Sequence, residues 1–223
     1  MSLRAVFFDL DGTLLDTAPD LAHALNRLLH QKGIDVLPVE KITEIVSDGA
    51  NAMLKLAFNV TPKDENFAEL RQQLLDLYLE DLSTHTRPYP GIEELISELT
   101  YSNIDWGIVT NKPWAYTEPL IERFDFASRP RTIVCPDHVR HKKPAPDSLL
   151  LACEQSGCQP SEAIYIGDHL RDIECGTNAG TSTISVGYGY ISNEQDHTRW
   201  GATHSVEHAS QLWPIINKYV QAS

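Results

Sequence analysis

Arg4-Ala5-Val6-Phe7-Phe8-Asp9-Leu10-Asp11-Gly12-Thr13-Leu14-Leu15-Asp16 is the stretch from which the fold follows. Ala5 to Phe8 is apolar and β-prone, the composition of a strand covered on both faces. It runs straight into Asp9 and Asp11, and Gly12 lets the backbone turn where the strand must stop. Carboxylates at the end of a buried strand carry a desolvation cost unless a cation or a donor compensates them. The pair points to a metal and a charged substrate, although an Asp-Gly turn closing an ordinary strand accounts for Gly12 equally well.

Downstream, Pro19 and Asp20 mark a helix start, and Leu21, Ala24, Leu25, Leu28 and Leu29 recur at helical spacing until Gly33. That spacing continues from Ile42 to Leu82, so residues 17–86 read as an all-helical insert behind the first strand. Arg87-Pro88-Tyr89-Pro90-Gly91 reads as a stiff linker. Beyond it strands alternate with helices. Strands are expected at Ile104–Val109, Thr132–Cys135, Ala163–Ile166, Thr183–Val186 and Ala202–Val206, and Gly187 to Gly201 reads as a surface loop. The alternation predicts an α/β fold, a parallel sheet with helices on both faces that binds ligands at the carboxyl ends of its strands. Residues 1–16 and 87–223 would form that core, with 17–86 as a separate helical domain.

A net charge of −13 over 223 residues argues against nucleic acid and anionic membranes as partners, so an anionic substrate must meet a local cationic pocket. The four cysteines show no C-x-x-C spacing and read as reduced structural thiols, consistent with a cytoplasmic location. No apolar run reaches membrane-spanning length, and Asp9 interrupts Val6-Phe7-Phe8 before it makes a signal peptide. The nine histidines form no metal-ligand pattern; His169, beside Asp168, either tunes a site or faces solvent at a helix start. The four tryptophans read as packing, since a base-stacking platform needs a basic background.

Four segments put polar residues at a strand's carboxyl end or just beyond: Asp9-x-Asp11-Gly12-Thr13, Thr110-Asn111, Lys143-Pro144 and Gly167-Asp168-x-x-x-Asp172. Singly, each has an ordinary reading as a turn, a helix cap or a solvated lysine. In this order they resemble the motifs of the haloacid-dehalogenase-like superfamily of aspartate-nucleophile phosphatases, across nearly the whole chain. The helical insert resembles that superfamily's small cap of the first type, and the core its Rossmann-like sheet. Asp11-Gly12-Thr13-Leu14-Leu15-Asp16-Thr17, Pro88-Tyr89-Pro90-Gly91 and Val109-Thr110-Asn111-Lys112-Pro113 are similar to the phosphoglycolate phosphatase branch. Thr86-Arg87-Pro88, Cys135-Pro136-Asp137-His138-Val139, Asp172-Ile173-Glu174 and Tyr188-Gly189-Tyr190-Ile191 are similar to the bacterial N-acetylmuramic acid 6-phosphate phosphatases.

The resemblance implies a Mg2+-dependent phosphatase for a small phosphorylated metabolite, 2-phosphoglycolate or N-acetylmuramic acid 6-phosphate, acting as a monomer or homodimer. Asp9 would be the nucleophile and Asp11 the general acid and base. Asp9, Leu10, Asp11, Thr110, Asn111 and Lys143 would surround the phosphate. Asp9 and Asp168 would give carboxylates to the metal and Asp11 its backbone carbonyl, with Asp172 binding directly or orienting the site from behind. A phosphate monoester is a dianion, so a carboxylate attacks it only where positive charge offsets the repulsion, as Lys143 and Mg2+ would. Ser47-Asp48-Gly49-Ala50-Asn51 either faces the substrate from the cap or is an ordinary helix connection, and Lys55 and Arg87 are possible substrate contacts. A sugar phosphomutase, or a non-catalytic switch that stores phosphate on Asp9, would use the same strand ends; Asp11 argues against long storage and against a dehalogenase.

Overall fold

In the computed structural model of the chain, which describes residues 2–192 and 195–221, the apolar run ahead of Asp9 forms strand β1 (Ala5–Phe8), buried along its whole length. A tight turn leads to β2 (Leu15–Asp16), and helices α1 (Ala18–Gln31), α2 (Val39–Thr43), α3 (Ala50–Phe58) and α4 (Phe67–Glu80) follow. β3 (Arg87–Pro88) returns the chain, pairing with β2 in a two-stranded ribbon. Then come α5 (Ile92–Tyr101), β4 (Asp105–Val109), α6 (Trp114–Ile121), β5 (Thr132–Val134), α7 (Asp147–Ser156), β6 (Ala163–Gly167), α8 (Leu170–Ala179), β7 (Ser182–Val186), β8 (His204–Val206) and α9 (Leu212–Gln221).

Two compact units result, one joining residues up to Leu15 with those from Pro88 onward, the other being Asp16–Arg87. The first holds a six-stranded parallel sheet in the order β5-β4-β1-β6-β7-β8. β1 lies inside it, with Phe8 level with Ile108 of β4 and Ile166 of β6. That register sets Asp9, Thr110 and Asp168 just past the same edge, the carboxyl edge where parallel sheets take ligands. In the second unit α1 and α3 pack against α4, and Leu25, Leu28, Leu54, Leu74 and Tyr78 are buried.

Several sequence expectations need correction. The stretch read as a linker contains β3. The Gly187–Gly201 run is not simply surface loop, because Tyr190 and His197 are buried; its Asn193 and Glu194 lie outside the described residues. Helix α8 starts at Leu170, directly after its cap His169. His169 Nδ1 accepts from the Arg171 N–H, and the Asp172 carboxylate accepts from the His169 N–H, closing a capping box. All four cysteines are buried free thiols, and among the described residues no helix is long and apolar enough to cross a membrane.

Asp20 does more than start a helix. Its fully buried carboxylate accepts hydrogen bonds from the His85 N–H (2.9 and 3.0 Å), the Thr86 N–H (2.8 Å) and the Thr86 hydroxyl (2.7 Å), tying the two ends of the helical unit together. Removing an acceptor that serves several buried donors leaves each without a partner. Asp20→Ala is expected to destabilise the protein by about 2–4 kcal/mol, read as a lower urea midpoint; an unchanged midpoint would show that water replaces the carboxylate.

Candidate active site

Asp9 follows β1 directly, Asp168 follows β6, and Asp172 lies in the first turn of α8; all three are buried, with carboxylate oxygens within 4.8 Å of one another. Asp168 is fixed at both oxygens, accepting from the Thr13 hydroxyl (3.0 Å) and the Tyr190 N–H (2.9 Å). Tyr188 donates its hydroxyl to the Thr13 carbonyl at 3.1 Å, so the run behind β7 braces the turn behind β1. Close approach here requires glycine. Gly12 sits at φ +83°, and a Cβ on it would lie 2.1 Å from Asp168 Oδ2. A Cβ on Gly189 would lie 2.3 Å from the Asp168 Cβ and 2.4 Å from the Gly12 carbonyl oxygen.

Lys143, whose side chain is fully buried, sends its ammonium between the carboxylates, 2.9 Å from Asp9 Oδ1 and 2.7 Å from Asp172 Oδ1. Asp9 Oδ1 also accepts from the Leu10 N–H at 2.7 Å, which leaves Oδ2 as the Asp9 oxygen without a hydrogen bond among the described residues. The Asn111 side-chain amide is engaged with both main-chain groups of Lys143 at 3.1 Å, so it clamps the lysine's backbone. Thr110 is buried beside it, its hydroxyl accepting from the Lys112 N–H at 3.1 Å. Asp11 is partly exposed and pairs with Lys112 Nζ at 2.9 Å.

Asp48 ends a short 3-10 turn, Gly49 takes φ +80°, Ala50 begins α3, and Asn51 accepts from Arg71 Nε at 3.3 Å, all within the helical unit. Lys55 is bonded to Asn59 and Arg87 to the Thr86 carbonyl. His169 is half-buried as the cap of α8.

Charge at this edge is unbalanced. Burial raises the pKa of Asp9, with Lys143 opposing the rise, and burial together with Asp9 and Asp172 lifts Asp168 to about 8. Lys143 moves the other way: burial draws it down, but Asp172 and Asp9 outweigh that and raise it. Of three clustered buried carboxylates, Asp9 and Asp172 meet the one ammonium, and an oxygen-only donor set with excess negative charge fits a hard divalent cation.

Residues 6–186 match the model of the haloacid dehalogenase-like hydrolases, and the chain belongs to that family. It is an enzyme of the phosphatase kind. It is 44% identical, over 98% of its length and 96% of the relative's, to an N-acetylmuramic acid 6-phosphate phosphatase of Pseudomonas aeruginosa. A phosphoglycolate phosphatase of Xanthomonas campestris is 33% identical over 94% of this chain and 95% of its own. A crystal structure of a predicted phosphoglycolate phosphatase from Haemophilus somnus superposes with a TM-score of 0.85, covering 97% of this chain and 99% of that one at 22% identity, a likeness of fold.

Sequence reasoning placed Thr13 at this edge but missed Lys112, Tyr165 and Tyr190 as parts of it. Lys112 stood inside a quoted motif, and its near-complete burial is what sets it apart from a solvated lysine. Gly12→Ala is expected to push Asp168 and Tyr190 aside and lower phosphatase turnover at least about a hundredfold. Gly201→Ala, also at positive φ but with open space around the new Cβ, should cost only about 1 kcal/mol of stability and leave turnover intact. Equal turnover in the two variants would disprove the packing argument.

Proposed function

We propose that this protein is a Mg2+-dependent phosphatase that hydrolyses N-acetylmuramic acid 6-phosphate through an aspartyl-phosphate on Asp9. The observation that carries the chemistry is the open Oδ2 of Asp9, held beside the Lys143 ammonium at the end of the buried central strand. The substrate reading rests on two near full-length relatives at 44% and 41% identity, both named for that ester.

The Asp9 and Asp168 carboxylates and the Asp11 carbonyl would hold Mg2+, with Asp172 engaged by Lys143 and the His169 N–H and acting from behind. When bound, the ion supplies positive charge against the phosphate oxygens. Asp9 attacks phosphorus; the new Asp9–phosphorus bond forms as the ester bond breaks, and Asp11 gives its proton to the leaving sugar oxygen. Asp11 then takes a proton from water, whose oxygen bonds to phosphorus while the aspartyl bond breaks, restoring the Asp9 carboxylate and releasing phosphate. Lys143 and Thr110 hold phosphate oxygens through both steps. Lys112 holds the Asp11 carboxyl in place.

In this reading Asp16–Arg87 is the cap domain. A reducing cytoplasm suits four buried free thiols.

Asp9→Asn should lower turnover by at least about a thousandfold while leaving the far-UV circular dichroism spectrum and melting temperature near wild type; retained turnover would exclude Asp9 as nucleophile. Chelation should reduce activity to background, with Mg2+ restoring it and raising the melting temperature, because the ion relieves three buried carboxylates. The kcat/KM for N-acetylmuramic acid 6-phosphate should exceed that for 2-phosphoglycolate at least about tenfold; the reverse order would move the enzyme to the other substrate.

A further inference from the structure

Lys143 has more acceptors around it than hydrogens to give. Its ammonium carries three N–H groups. Four acceptors lie close: Asp172 Oδ1 at 2.7 Å, Tyr165 Oη at 2.8 Å, Asp9 Oδ1 at 2.9 Å and the Val109 carbonyl at 3.0 Å. A phosphate oxygen would be the fifth. Tyr165 stands out among the four because it is also a donor. Its hydroxyl, fully buried at the middle of β6, lies 2.8 Å from the same Val109 carbonyl. Either group can serve that carbonyl, so one of the ammonium's hydrogens is releasable.

We infer that Tyr165 is a positioning residue for phosphate binding: its hydroxyl holds the Val109 carbonyl and so frees an N–H of Lys143 for the substrate phosphate. Before phosphate arrives, Lys143 gives two hydrogens to Asp9 and Asp172 and the third to Tyr165 or Val109. As phosphate enters, the third N–H turns to it. Tyr165 keeps its own bond to Val109, and no buried main-chain acceptor is abandoned. In a chain with phenylalanine at this position, Lys143 alone faces three acceptors with three hydrogens. Turning one to phosphate then strips the Val109 carbonyl of its side-chain donor, and phosphate binding bears the cost of an unpaired buried acceptor. The inference rests on the reading of Lys143 as a phosphate contact.

The test is calorimetric titration of the full-length, Mg2+-loaded protein with inorganic phosphate. The set is wild type, Tyr165→Phe, Lys143→Met and the double variant, with a melting curve for each. Tyr165→Phe should weaken phosphate about tenfold, the size of one charge-assisted hydrogen bond, and should have no further effect in the Lys143→Met background. Genetically encoded 4-aminophenylalanine in place of Tyr165 keeps an N–H donor and should restore binding to within about twofold; it also serves if the phenylalanine variant fails to fold. Wild-type affinity in Tyr165→Phe, an equal loss in both backgrounds, or no rescue by the amino analogue would each overturn the inference. Lys143→Met binding phosphate as tightly as wild type would instead overturn the reading of Lys143 beneath it.

Discussion

Lys143 carries a full positive charge where its side chain has no contact with solvent, and the carboxyl edge of the sheet is arranged around that fact. An isolated buried ammonium would lose its proton or unfold its surroundings. This one is met at 2.9 Å by Asp9 at the end of β1 and at 2.7 Å by Asp172 in the first turn of α8, so each charge makes the burial of the others tolerable. Its main chain is held with equal care, since Asn111 reaches both its N–H and its carbonyl. The clamp links the loop after β4 to the loop before α7.

The balance is deliberately incomplete. Lys143 answers part of the negative charge of Asp9, Asp168 and Asp172, and burial beside Asp9 and Asp172 lifts the pKa of Asp168 to about 8. Such a cluster is stable only while packing holds it shut. The two-glycine approach of Gly12 and Gly189 to Asp168, the Tyr188 bond across to the first turn and the Tyr190 bond to Asp168 supply that packing. The strain of crowded anions is the same property that makes the edge receptive to a hard cation and to a phosphate ester with it.

Much of this was legible in the sequence, and the parts that were not share a physical reason. The apolar run ending in Asp9-x-Asp11-Gly12 announced a central strand with charge at its end, because few other arrangements justify carboxylates there. Strand and helix alternation announced the parallel sheet, and Lys143 and Asp168 were found by their place in the motif order. Tyr165 was invisible because an aromatic residue in a strand is ordinary β composition. Only its hydroxyl is unusual, and that meets partners 22 and 56 residues away in sequence. Asp20 looked like a helix-start acid for the same reason; its donors are 65 and 66 residues distant. His169 concealed a capping box because histidine is not among the usual cap residues. Tyr190 sat in a run of glycines and polar residues whose texture matches any exposed loop, though its backbone N–H closes on Asp168.

The position of β1 between β4 and β6 has a further consequence for a chain still being made. β4 ends at Val109, whereas β6 begins only at Ala163. Over that interval of synthesis the nascent sheet presents Ala5-Val6-Phe7-Phe8 as an open edge, apolar and without its second neighbour. An edge of that kind recruits strands from other chains. Ribosome stalling or premature termination within it would therefore release fragments prone to aggregate, and the chaperones that guard emerging chains have most to do here.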